Sequence, residues 1–86
     1  MRIQLRYFAS LREALGPGET LVWTDAPVAP TLGALRDRLV ARGGHHAEVL
    51  ARPRPVRCAL DQTMSDESAP LHDGAEVAFF PPVTGG

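Results

Sequence analysis

Residues 2–8, RIQLRYF, alternate polar and apolar positions. Ile3, Leu5 and Tyr7 fall on one side; Arg2, Gln4, Arg6 and Phe8 fall on the other. A period of two marks a half-buried strand, and Phe8 is the misfit, a large aromatic on the polar side. Ser10 and Glu13 have capping-box spacing, which predicts a short helix with Ser10 as N-cap, ended by Gly16-Pro17. Residues 19–24 read as a second strand, with Leu21 and Trp23 on one face. The loop that follows holds two prolines, which a central strand excludes.

Thr31 can cap the next helix. Leu32, Leu35 and Leu39 recur at helical spacing and Val40 widens the stripe. Arg36, Asp37, Arg38 and Arg42 give it a solvated face, and Gly43-Gly44 end it. Residues 45–55 read as a loop or frayed turn. Residues 56–60 form a third strand, and Asp61-Gln62 turn it into Thr63-Met64. Asp73-Gly74 is a turn signal. Residues 76–80 are the last strand, with Val77 and Phe79 on one face and Ala78 and Phe80 on the other. Pro81-Pro82 remove two backbone donors and stop the ladder.

This order of elements predicts an α+β domain, a mixed sheet with one main helix packed across it. Its extent is residues 1–82, followed by a flexible tail, residues 83–86. A parallel pairing of the first and last strands at the centre would leave that tail projecting from one end of the sheet.

At 86 residues the chain can hold one modest core and no deep, enclosed active site. Function is then expected on the surface, at an end, or in a partner. Nine basic and ten acidic residues give a net charge of -1, which speaks against nucleic acid. All nine basic residues are Arg, so lysine chemistry is excluded within the chain. The lone Cys58 cannot form an internal disulfide and reads as a buried, inert thiol. The N-terminus lacks a signal-peptide core, and no apolar run approaches the roughly 20 residues of a membrane span. A cytoplasmic protein with no membrane partner is the expectation. His45 and His46 have no third ligand at useful spacing, so no metal is expected. No Ser/His/Asp set, phosphate loop or carboxylate pair points to independent catalysis.

A free terminus normally frays and does nothing. Here the tail follows a strand read as central, two prolines stiffen its exit, and it is uncharged and narrows to glycine. That shape suits a slim channel in another protein, because glycine lets channel walls approach the backbone closely. Four residues beyond Pro82 span roughly 13–14 Å. The group at the end is the α-carboxylate of Gly86, an anion at neutral pH and a poor acyl electrophile. Adenylation would activate it, and a sulfur nucleophile displacing AMP would leave a thiocarboxylate.

The stretch DGAEVAFFPPVTGG, residues 73–86, strongly resembles the C-terminus of the molybdopterin synthase sulfur-carrier subunits, the MoaD family. Phe8-Ala9-Ser10-Leu11-Arg12-Glu13 is similar to the same family's first strand and helix, and residues 43–57 show the least resemblance. The resemblance implies a β-grasp, ubiquitin-like fold. It implies that Gly86 is adenylated by an E1-like adenylyltransferase that uses ATP, then converted to a thiocarboxylate by a sulfur-donating enzyme. It implies docking on the large catalytic subunit of molybdopterin synthase in a heterotetramer, with sulfur passing to precursor Z (cyclic pyranopterin monophosphate). No permanently bound cofactor is expected, and no catalysis by the small subunit alone. Pro81, Pro82, Val83, Thr84 and Gly85 would bind the partner, with the residues beyond Pro82 entering its channel. Phe8 and Phe80, with Met64, would form an apolar docking patch beside the tail, and Arg12 matches the family's first-helix arginine. The rival readings are a sulfur carrier of another pathway, a protein modifier forming isopeptide bonds, and a binding module with an inert tail.

Overall fold

The computed structural model describes residues 1–82. Five strands form one sheet in the order β2-β1-β5-β3-β4. They are β1 (Arg2–Tyr7), β2 (Gly18–Val22), β3 (Arg57–Leu60), β4 (Thr63–Ser65) and β5 (Ala75–Phe80). Three helices, α1 (Ala9–Leu15), α2 (Leu32–Val40) and α3 (Gly44–Leu50), complete the domain. β5 lies between β1, to which it is parallel, and β3, to which it is antiparallel. The arrangement is the α+β, ubiquitin-like β-grasp.

The alternation in β1 and β5 decides which face is dry. Ile3, Leu5 and Tyr7 are buried on β1, and Ala75, Val77 and Phe79 on β5. Register places Leu5 opposite Val77 and Tyr7 opposite Phe79, so these side chains form one layer. Leu32, Leu35 and Leu39 of α2 cover it with no exposed surface, joined by Leu21, Trp23, Leu50 and Leu71. Each large aliphatic buried this way contributes about 1.5–3 kcal/mol.

The expected cap of α2 is present: Thr31 Oγ1 accepts from Ala34 N at 3.2 Å. Leu32 N and Gly33 N, the free donors of its first turn, reach the carbonyls of Ala69 and Glu67. A side chain at Gly33 would put its Cβ 3.1 Å from Glu67 Oε1, so glycine permits this close approach. Asp61 and Gln62 both take positive φ, 49° and 69°, closing the β3–β4 hairpin as foreseen.

Four local expectations need correction. Ser10 is not an N-cap: the Phe8 carbonyl accepts from Leu11 N and Arg12 N, so the helix begins two residues earlier and Ser10 sits in its first turn. Residues 44–50, read as loop, form α3; Gly43 (φ 74°) and Gly44 (φ 54°) turn the chain into it rather than simply closing α2. A seven-residue helix is not stable alone, and α3 exists because it packs on α2 and α1. Arg36, assigned to the solvated face of α2, is buried. Phe8 lies just past the end of β1, exposed, with its N–H bonded to the carbonyl of Phe79 at 3.2 Å.

Candidate functional site

The site is built at the end of β5. Phe79 is buried, and its ring stacks on Tyr7 with centroids 6.4 Å apart and an interplanar angle of 21°. That contact, with the Phe8–Phe79 hydrogen bond, fixes the last turn of sheet before the chain leaves it. Pro81 and Pro82 follow, both half-buried. They line a cleft of about 260 Å³ together with Ser10, Leu11, Val49, Arg54, Pro55 and Val56. The exit is therefore held between α1, α3 and the segment before β3. Val83, Thr84, Gly85 and the proposed reactive Gly86 lie outside the described residues.

The opposite sheet face carries a second apolar layer. Register aligns Ala78 with Ala59 and Ala59 with Met64, while Phe80 lies one step along β5. Ala59 is only 8% exposed, yet it is not part of the core cluster. Its cover comes from this outer face. Phe8 is 44% and Met64 59% exposed at its two sides. An Arg6–Glu76 ion pair of 2.9 Å borders the layer toward β1, and Arg6, Phe8, Gln62, Glu76 and Ala78 line a cleft of about 380 Å³ there. The structure thus brings Phe8, Met64 and Phe80 to one face beside the exit. Arg12 is exposed on α1 and lines neither cleft.

The remaining candidate groups have ordinary surroundings. Cys58 is buried and its Sγ donates to the Ser65 carbonyl at 3.2 Å. Burial first, then the Glu67 carboxylate, push its thiol pKa up, the opposite of what a reactive sulfur requires. His46 is on α3, its ring edge-on to Tyr7 at 6.4 Å and its Nε2 3.3 Å from Arg42 Nη1. His45 faces Glu48. Among the described residues no group of three His, Cys, Asp or Glu side chains is placed to hold a metal, and no helix is long and apolar enough to cross a membrane.

Two features were not read from sequence. The Ala59–Ala78 centre of the outer layer follows only from the β3–β5 register. In the sequence Arg54 falls in the loop or frayed turn of residues 45–55 and Arg57 in the third strand, with nothing that ties either to the exit. The alternation of β3 carries the signal for Arg57, once β3 is known to pair with β5.

A β-grasp domain whose central strand opens between an apolar face and a proline-stiffened exit belongs with the ubiquitin-like carriers in architecture. The chain belongs to the ThiS family, whose model matches residues 5–86. It is 42% identical to the molybdopterin synthase sulfur carrier subunit of Escherichia coli (strain K12) over 98% of this chain and 99% of that one. A chain of the protein–protein complex of subunits 1 and 2 of molybdopterin-converting factor from Helicobacter pylori is a structural likeness. It has TM-score 0.68 and 25% identity over the whole of both chains. The small archaeal modifier protein 1 of Haloferax volcanii superposes with TM-score 0.71 at 22% identity, covering 95% of this chain and 98% of that one. That last likeness concerns the fold alone.

Proposed function

We propose that the chain is the sulfur-carrier subunit of a molybdopterin synthase and acts through the Gly86 carboxylate. An E1-like adenylyltransferase transfers AMP from ATP to that carboxylate, releasing pyrophosphate. A sulfur-donating enzyme then supplies the nucleophile that displaces AMP, leaving a thiocarboxylate. The large catalytic subunit receives the tail, and the sulfur passes to precursor Z. The small subunit contributes reach, orientation and the acyl carbon, and catalysis resides in its partners. Two copies of each subunit form a heterotetramer in the cytoplasm, and no cofactor stays bound to the small chain.

The observation that carries this reading is the placement of Pro81-Pro82 at the end of the central strand, directly beside the Phe8, Met64 and Phe80 face. A partner docked on that face sits where the tail leaves the sheet. The 42% identity to a sulfur carrier subunit supports the pathway over the rival modifier. Intact-mass measurement after incubation with ATP, the activating enzyme and a sulfur source tests it. Replacement of one tail oxygen by sulfur is expected, followed by molybdopterin formation when precursor Z and the large subunit are added. Conjugates to other proteins in place of that change, or full activity of a chain extended past Gly86 and left unprocessed, would overturn it.

A further inference from the structure

The arginines divide into two groups. Arg6, Arg36, Arg42 and Arg52 each bond a carboxylate. Arg2, Arg12, Arg38, Arg54 and Arg57 form no side-chain ion pair among the described residues, and of these Arg54 and Arg57 stand at the exit of the tail. Arg57 is the register partner of Phe80, and strand alternation puts it on the outer face with that ring. Arg54 lines the cleft with Pro81 and Pro82 on the helix side. The chain therefore leaves the sheet between two unpaired cations, one on each side.

Arg54 is also held in place. Prolines flank it, its N–H donates to the Ala51 carbonyl at 2.8 Å, and its own carbonyl accepts from Arg36 Nη2 at 3.0 Å. A cation on an immobilised backbone gives up less freedom on binding than one on a loose loop. No carboxylate lines the cleft on the Arg54 side; on the other side Arg57 shares a cleft with Asp66 and Glu67 and forms an ion pair with neither.

We propose that Arg54 and Arg57 form a cationic collar at the tail root, fitted to a protein that carries carboxylates around the mouth of the channel receiving the tail. The inference deepens the carrier reading and rests on it. Guanidinium groups pair with carboxylates through two parallel hydrogen bonds, which fixes orientation as well as attraction. The Gly86 carboxylate is itself an anion, so the channel interior must favour negative charge and the rim is where acidic groups can stand. Rim charges act mainly on the rate and orientation of encounter.

The test is stopped-flow association of the full chain with the large subunit of molybdopterin synthase encoded in the same genome, across a range of salt. The wild-type rate is expected to fall as salt rises. R54E/R57E should associate about tenfold more slowly, with a flatter salt dependence. R54Q/R57Q should fall between, and R54K/R57K should keep most of the rate. Melting curves check each fold, and the glutamine pair decides the matter where charge reversal prevents folding. Wild-type rates for the neutral pair at every salt concentration would overturn the collar and leave the carrier reading standing. Failure of the wild-type chain to bind the large subunit would overturn both.

Discussion

Arg36 Nη2, in the buried middle of α2, donates to the carbonyl of Arg54 at 3.0 Å. The same guanidinium donates to the carbonyls of Leu50 and Ala51, at 2.6 and 2.8 Å, and pairs with Glu67 at 2.9 Å. One side chain thus satisfies the end of α3, fixes the segment after it, and joins both to the turn that follows β4. Arg52 adds a partly exposed layer outside, bonded to Asp37, Glu67 and the Gly33 carbonyl.

Replacing Arg36 with alanine strips three carbonyls of their donor and leaves Glu67 without its buried partner. Losing this donor at three carbonyls, at about 1–3 kcal/mol each, costs about 3 kcal/mol or more; Glu67 is 34% exposed and keeps Arg52. R36A should therefore lower the unfolding free energy by about that amount in urea titrations. R36K keeps the charge but not the planar fork and should recover only part of it. An R36A protein as stable as wild type would show the network to be dispensable.

Tyr7 presents the opposite situation. It is 1% exposed, and its hydroxyl has no protein hydrogen-bond partner among the described residues. Burial, and after it the Glu19 carboxylate, push its pKa up to about 12, with Arg42 opposing. Leaving a buried hydroxyl unpaired costs about 1–3 kcal/mol, so Y7F should raise stability by about 1 kcal/mol. As this is the only tyrosine of the chain, its ultraviolet titration should stay flat through pH 10 and rise near 12. A midpoint at the ordinary value would mean that water reaches the hydroxyl, and a destabilised Y7F would mean that the hydroxyl has a hydrogen-bond partner.

The legible parts of this fold were those whose pattern is self-contained. The two central strands declared themselves through period two, α2 through its leucines, and the turns at Asp61 and Asp73 through residue type. What remained hidden depends on contacts distant in sequence. α3 has seven residues with two histidines and draws its order from α2 and α1. Arg36 is one of several charges on α2 until the carbonyls of residues 50, 51 and 54 are brought to it. At the site, strand alternation is enough to put Phe8, Met64 and Phe80 on one face, while the tail beyond Pro82 lies outside the described residues. Arg54 and Arg57 were not legible, because their relation to the exit is set by the β3–β5 register and the path of the preceding loop.

His72 and His46 should give stability opposite pH dependences. His72 Nε2 lies 2.6 Å from Asp61 Oδ2; that hydrogen bond first, then the Asp73 carbonyl, raise its pKa above 6.5. The contribution is full below 6.5 and is lost as pH climbs through the raised folded value. Asp61 is held below 3.8 by the same bond, so its share is present above 3.8 and lost as pH falls through the lowered folded value. H72Q should therefore be destabilised most between these limits and approach wild type in alkali. His46 is held below 6.5 by burial and then by Arg42. Its contribution is present above 6.5 and declines as pH falls through the lowered folded value, so H46Q should flatten the acid-side loss. Urea unfolding from about pH 5 to about pH 8 resolves the two. Identical pH profiles for both variants would refute the assignment.

Phe79 and Phe80 are neighbours in sequence and should behave as residues of different kinds. Phe79 fills the core and stacks on Tyr7, so F79A should cost about 3–5 kcal/mol of stability. Phe80 is half-buried on the outer face, beyond the core cluster and opposite Arg57. F80A should change stability by about 1 kcal/mol or less, since only part of its surface leaves water on folding. On the carrier reading, however, Phe80 is an aromatic anchor beside the tail, and truncating such an anchor costs about 2 kcal/mol or more of binding, roughly 30-fold in affinity. Paired melting and calorimetric titration with the large subunit separate the two effects. F80A that melts near wild type and binds weakly confirms the outer layer as the docking face. F80A that binds as tightly as wild type would remove that face from the interface.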